Sequence, residues 1–220
     1  YKYRYNILNE IDNSEKNYSS NGVLAALDLT YRFRQLLDFT LTTSYQRNTS
    51  DNDTWFGEKS NYVAQLRNSE YGVDPIPGQY GKSDLPYGGV YNSGRNVNEN
   101  FTLRAQANLR HALGADKKHL VSASLGYEMN TSNTDGFSTN TRGFYKDRGL
   151  KYVNMTAEEV QKFPYYAKWL ASNTPSLKAD KTHRLSGYAI FSYSYGSLFS
   201  LSANTRFDAS NKFGSRSNEK

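Results

Sequence analysis

The chain has no cysteine, two methionines, two tryptophans and five prolines among its 220 residues. The missing cysteines exclude a disulfide scaffold and thiolate-bound zinc, and they assign no compartment. No stretch approaches the roughly 20 consecutive apolar residues of a spanning helix, which excludes a helical membrane protein. A membrane barrel stays open, because alternating strands give a much weaker hydropathy signal. Hydrophobic content is 37% and mean hydropathy −0.80, both low for a self-contained soluble core. The chain opens on Tyr1-Lys2-Tyr3 and closes on Ser217-Asn218-Glu219-Lys220, so both ends are expected to be cuts through a longer protein.

What is abundant is tyrosine, with 19 copies. Many Tyr, Ser, Thr and Asn with few aliphatics fit a β-rich protein whose apolar surface is a thin, one-sided layer. The net charge is +6 and the isoelectric point about 9.3, which alone would admit an anionic partner. The Lys and Arg are scattered without a patch or a nucleic-acid motif, so no nucleic-acid partner is expected.

Alternation of apolar and polar residues recurs seven times and predicts seven long amphipathic strands, over 1–8, 22–33, 36–47, 101–111, 119–130, 184–195 and 198–208. The cleanest sets Phe101, Leu103, Ala105, Ala107 and Leu109 against Thr102, Arg104, Gln106, Asn108 and Arg110. Strand side chains point alternately to opposite faces, so each segment carries one greasy and one wet face. Most of these runs are twice as long as an ordinary globular strand of about 5–6 residues.

Connections alternate in length. Short ones fall at Arg34-Gln35, 112–118 and Gly196-Ser197; long ones span 9–21, 48–100 and 131–183. Soluble sandwiches have no reason to gather every long loop at one end, whereas an outer-membrane barrel does, and its tilted strands need about 9–11 residues. Aromatics at strand ends (Tyr31, Phe33, Tyr45, Tyr127, Tyr193, Tyr195) suit interfacial girdles. The expected fold class is therefore all-β, an antiparallel transmembrane β-barrel segment with short turns at one end and long loops at the other. The alternatives are a soluble β-sandwich, serving as a carbohydrate-binding or adhesin module, and a passive porin.

The long loops carry the candidate contact residues. Trp55, Phe56, Tyr62, Tyr71, Tyr80, Tyr87 and Tyr91 stand among Gly, Asn and Asp in 48–100, with Pro75, Pro77 and Pro86 shaping the loop. Such rings offer flat amphipathic surfaces for glycan, peptide or a partner lid, or they pack on one another to order the loop. In 155–173, Thr156 and Glu159 have capping-box spacing, Pro164 interrupts the helix, and Tyr165, Tyr166 and Trp169 form a second aromatic set. Asp51, Asp53 and Glu58 sit loosely like a calcium loop but miss the EF-hand spacing. His111, His119 and His183 share no metal-ligand spacing. No nucleophile–base set or phosphate loop stands out, so no catalytic residue, cofactor or metal is expected.

Residues 188–214, YAIFSYSYGSLFSLSANTRFDASNKFG, resemble the strand–turn–strand of SusC/RagA-like TonB-dependent transporters of Bacteroidetes outer membranes. Arg206, Phe207, Asp208, Ser210, Phe213 and Gly214 fit the family stretch, while Ala209 and Asn211 depart from its usual Gly and Ser. The segment 100–137, with Leu103-Arg104, Gly126 and Glu128, and the segment RGFYKDRGLKYV at 142–153 are similar to family strands and the loop that follows. The resemblance implies import of oligosaccharides or peptides across a bacterial outer membrane. It further implies drive through TonB, a SusD-like lipoprotein lid and contact with outer-membrane lipid. On that reading 1–220 is a partial barrel domain, and the plug domain, the TonB-contacting box and the closing strands belong elsewhere. Arg206-Phe207-Asp208 would mark where the last strand emerges.

Overall fold

Alternation of this kind folds into strand only when neighbours satisfy the backbone, and a computed structural model of the chain supplies them. It describes residues 5–34, 36–115 and 118–212. Six long strands form: β1 (Ser14–Phe33), β2 (Leu37–Phe56), β3 (Gly89–Leu113), β4 (His119–Tyr145), β6 (Ser176–Tyr195) and β7 (Phe199–Ser210). A two-residue β5 (Lys151–Tyr152) pairs with β4. The sheet is mostly antiparallel, in the order β1-β2-β3-β4-β6-β7, so each long strand lies beside its sequence neighbour. Among the described residues the α-helices are four and short: α1 (Ile7–Asn13), α2 (Asn61–Arg67), α3 (Ala157–Gln161) and α4 (Pro164–Ser172). None of the described helices is long and apolar enough to cross a membrane.

Several expected boundaries move. The strand expected over 1–8 begins outside the described residues, and Ile7 and Leu8 instead open α1. Asn6 caps that helix, its Oδ1 accepting the Leu8 N–H at 3.1 Å. The supposed loop 9–21 is strand from Ser14 onward. Loop 48–100 contracts to 57–88, because β2 continues to Phe56 and β3 starts at Gly89. Loop 131–183 contracts to 146–175. The hairpin between β6 and β7 takes three residues, with Tyr195 opposite Phe199 and Gly196 in the left-handed region.

The chain divides into two units. One comprises Tyr1–Ser20, Ser50–Asn96 and Gly136–Lys178; the other comprises Asn21–Thr49, Val97–Asp135 and Ala179–Lys220.

The first unit has an interior. Val63, Leu85 and Val90 are fully buried and pack with Phe56 and Leu66. Phe144, Phe163 and Tyr166 are buried in the same unit.

The second unit is a sheet without one. Among its described residues no apolar side chain is buried, and Ser186 alone reaches that state. One face presents Leu29, Leu125, Leu201 and Phe207; Leu125 is 62% and Phe207 68% exposed. The other face is cross-linked by polar side chains. Arg104 donates through Nε and Nη2 to Glu128 at 2.9 and 2.7 Å. Arg32 pairs with Asp38 at 2.9 Å, and Thr42 donates to Asp28 at 2.6 Å.

The Arg206–Asp208 pair belongs to this polar network. Asp208 lies opposite Ser186 in the register, and Arg206 donates to both Asp208 oxygens at 2.9 Å. Ser186 Oγ donates to Asp208 and accepts from Arg206. The strand runs on to Ser210, whose Oγ accepts the Lys212 N–H, so the break falls later than Arg206-Phe207-Asp208. Phe213 and Gly214 lie outside the described residues.

Candidate functional site

The first unit holds the long-loop residues, and a buried arginine sets their frame. Ser60 caps α2, its Oγ accepting the Val63 N–H, and Asn68 ends the helix in the left-handed conformation. That places Arg67, 1% exposed, in the middle of the loop. Its guanidinium donates to the carbonyls of Leu85 (3.3 Å), Val73 (3.5 Å) and Gly88 (2.6 Å) and to Glu58 Oε1 (3.3 Å). Glu58 also accepts the Gly88 N–H, so one ion pair ties three loop segments. Gly88 takes a positive φ of 69° where its backbone meets Gly143, and a side chain there would collide with the Gly143 backbone.

Two aromatic groups build on this frame. In the first, Tyr80 and Tyr87 flank Phe163 at ring distances of 5.4 and 6.0 Å. Tyr166 stacks on Trp169 at 5.7 Å, and the Arg142 guanidinium lies 4.3 Å from the Trp169 ring centroid. Arg142 also donates to the Asp84 carbonyl. Burial holds its guanidinium below the usual arginine range and pushes the Tyr166 phenol up. These rings order the loops by packing on each other. Phe56 and Tyr62 do the same at 4.8 Å, and Tyr165 stays exposed on α4.

The second group encloses space. Trp55 from β2, Tyr91 from β3, Phe144 from β4 and Tyr152 from β5 line a cavity of about 390 Å³, with Glu15, Asp53 and Lys146 at its wall. Tyr91 stacks on Phe144 at 4.8 Å, and Phe144 meets Tyr152 at 5.2 Å. The Tyr91 hydroxyl donates to Asp53 at 3.0 Å. Burial first, and that hydrogen bond second, raise the Tyr91 phenol above its usual range. Lys146 donates to Glu15, holding the Glu15 carboxyl below the usual range, and its Nζ lies 4.8 Å from the Trp55 ring centroid. The buried Trp55 Nε1 has no hydrogen-bond partner.

Of the expected contact residues, the structure therefore brings Trp55 and Tyr91 together at a cavity. It disperses Phe56, Tyr62, Tyr80, Tyr87, Tyr165, Tyr166 and Trp169 among packing contacts and surface. Glu15, Phe144, Lys146 and Tyr152 also line the cavity; the last three lie in the segment 142–153 noted above, which marked none of them as a contact residue. The acids at 51–58 do not converge: Asp51 pairs with Arg95, Asp53 takes Tyr91, and Glu58 takes Arg67 and Arg148. No group of three metal-ligating side chains occurs among the described residues.

The fold has counterparts. Two solved structures share the fold. They are the structure of the RagAB peptide transporter and that of the RagAB peptide importer in the closed-closed state. Each matches 91% of this chain at 15% identity, with a TM-score of 0.62. The chain spans only 19% of the length of those chains. No family model matches, and no curated protein does.

Proposed function

We propose that this chain is a wall segment of a SusC-like, TonB-dependent outer-membrane importer, with its long loops serving ligand capture beneath a SusD-like lipoprotein. One observation carries the reading: the second unit exposes a continuous apolar face while its opposite face is hydrogen-bonded and charged. A sandwich would bury inner faces against a partner sheet about 10 Å away, and the described residues of this unit bury none. Lipid is the covering that such a face fits. The cargo favoured over glycan is peptide, because the structural neighbours are a peptide importer and a peptide transporter. TonB and the plug would act through parts of the longer protein.

The absence of cysteine makes the test direct. Nitroxides at Ser124 and Leu125, adjacent positions on opposite faces, are placed one at a time in the full-length protein in liposomes. The expected result is collision with lipid-soluble oxygen at 125 and with an aqueous nickel chelate at 124. Equal aqueous access at both sites would defeat the membrane reading. Uptake of labelled peptides by cells, with and without the gene, tests the transport step separately.

A further inference from the structure

Lys146 occupies a site built for a cation. Its ammonium sits between the Glu15 carboxylate and the face of Trp55, and a second carboxylate, Asp53, stands on the same cavity. The lining carries two carboxylates against one ammonium, in a chain whose net charge is +6. The same lysine also lines a second cavity of about 520 Å³, together with Trp55 and Phe144. It adds Asp12 and Asp147, with one further lysine, Lys59, and Glu58, which Arg67 and Arg148 already pair. Lys146 thus lines two cavities whose walls both carry carboxylates.

From this geometry we infer that the Trp55–Tyr91 cavity binds a lysine or arginine side chain of a peptide, with Lys146 as a tethered stand-in that the ligand displaces. The inference rests on the peptide reading above. Ring faces attract ammonium and guanidinium groups and shelter their methylene stems. Arginine gains most, because its planar guanidinium can stack on an aromatic ring while donating to a carboxylate. A neutral sugar would use the rings but leave the excess carboxylate uncompensated.

The test is calorimetric titration of the full-length protein in detergent with Ala-Arg-Ala, Ala-Lys-Ala, the neutral isostere Ala-citrulline-Ala and a neutral trisaccharide. The basic peptides should bind about tenfold tighter than the citrulline peptide, a gap worth about 1.4 kcal/mol. Asp53→Asn should erase that gap, and Lys146→Met should widen it several-fold by removing the competitor. The milder Trp55→Phe should weaken every peptide while the protein stays folded by circular dichroism. Equal affinity for the arginine and citrulline peptides overturns the inference. So does preference for the trisaccharide, or a gap that neither Asp53→Asn nor Lys146→Met changes. Cellular uptake of neutral peptides, measured in parallel, depends on the transport reading alone and fails or succeeds independently.

Discussion

Tyr188 on β6 lies across Gly126 on β4 and reaches a third strand, where its hydroxyl donates to Gln106 Oε1 at 2.8 Å. A Cβ on Gly126 would overlap the Tyr188 ring, so the missing side chain makes room for a brace over three neighbouring strands.

Gly126→Ala should therefore destabilise the sheet by about 1–3 kcal/mol, the usual cost of overpacking, and tilt the ring off Gln106. Tyr188→Phe, which keeps the ring and loses one hydrogen bond, should cost only about 0.5–1.5 kcal/mol. Urea unfolding of the detergent-solubilised protein orders the two variants, and a milder Gly126→Ala would remove the brace from the account.

Arg67→Met leaves three carbonyls and the Glu58 carboxylate without their common donor. A loss of about 1–3 kcal/mol is expected for the carbonyls left without a donor, since Glu58 keeps Arg148 and the Gly88 N–H. Arg67→Lys should rescue little, since one ammonium cannot reproduce a fork that reaches four acceptors. Limited proteolysis reads the effect as new cleavage within 57–88, with the remaining fragments unchanged.

The Glu15–Lys146 pair sets a pH window. Its hydrogen bond from Lys146, and then that from Asn17, hold the Glu15 carboxyl below the usual glutamate range. The sign follows from the depressed value: the contribution is complete above the unfolded value and is lost as pH falls through the lower, folded one. Carbon-13 titration of the Glu15 carboxyl should show a midpoint below that of a model glutamate, and Lys146→Met should return it to the ordinary range.

Asn211 closes the β6–β7 ladder. Its Oδ1 accepts the His183 N–H at 2.9 Å, and its Nδ2 donates to the Lys181 carbonyl at 2.8 Å. Asn211→Ala should lower hydrogen-exchange protection of the His183 amide by roughly tenfold, the equivalent of about one such bond. Protection at Ala189, well inside the pairing, should not change.

The strand cores were legible because one face is apolar: Phe101 to Leu109 and Val121 to Met129 announce their period directly. Their extensions were not. Asn48 to Asp53, Asn92 to Asn96 and Thr131 to Asp135 carry no apolar side chain on either face, so alternation has nothing to register there, and only pairing with neighbours makes them strand. The same limit hid half the cavity. Trp55 and Tyr91 stood out as aromatics in a long polar stretch, while Phe144 and Tyr152 meet them through the β4–β5 pairing, which no local pattern encodes. Near the start of the chain Asn6 caps a helix that takes in Ile7 and Leu8, the last two residues of the expected strand, and the alternation there gave no sign of the cap.

The bare sheet of the second unit has a consequence for how such a chain can change over time. If lipid covers that face, as proposed above, no complementary surface dictates whether Leu29, Leu125 or Leu201 is leucine, valine or phenylalanine; only its greasiness is under constraint. Mutational drift there is free in shape and bound in polarity. The loop frame around Arg67 has the opposite regime, since four acceptors fix one side chain in place. A saturation scan would draw the boundary between the two units as a change in the grammar of tolerated substitutions.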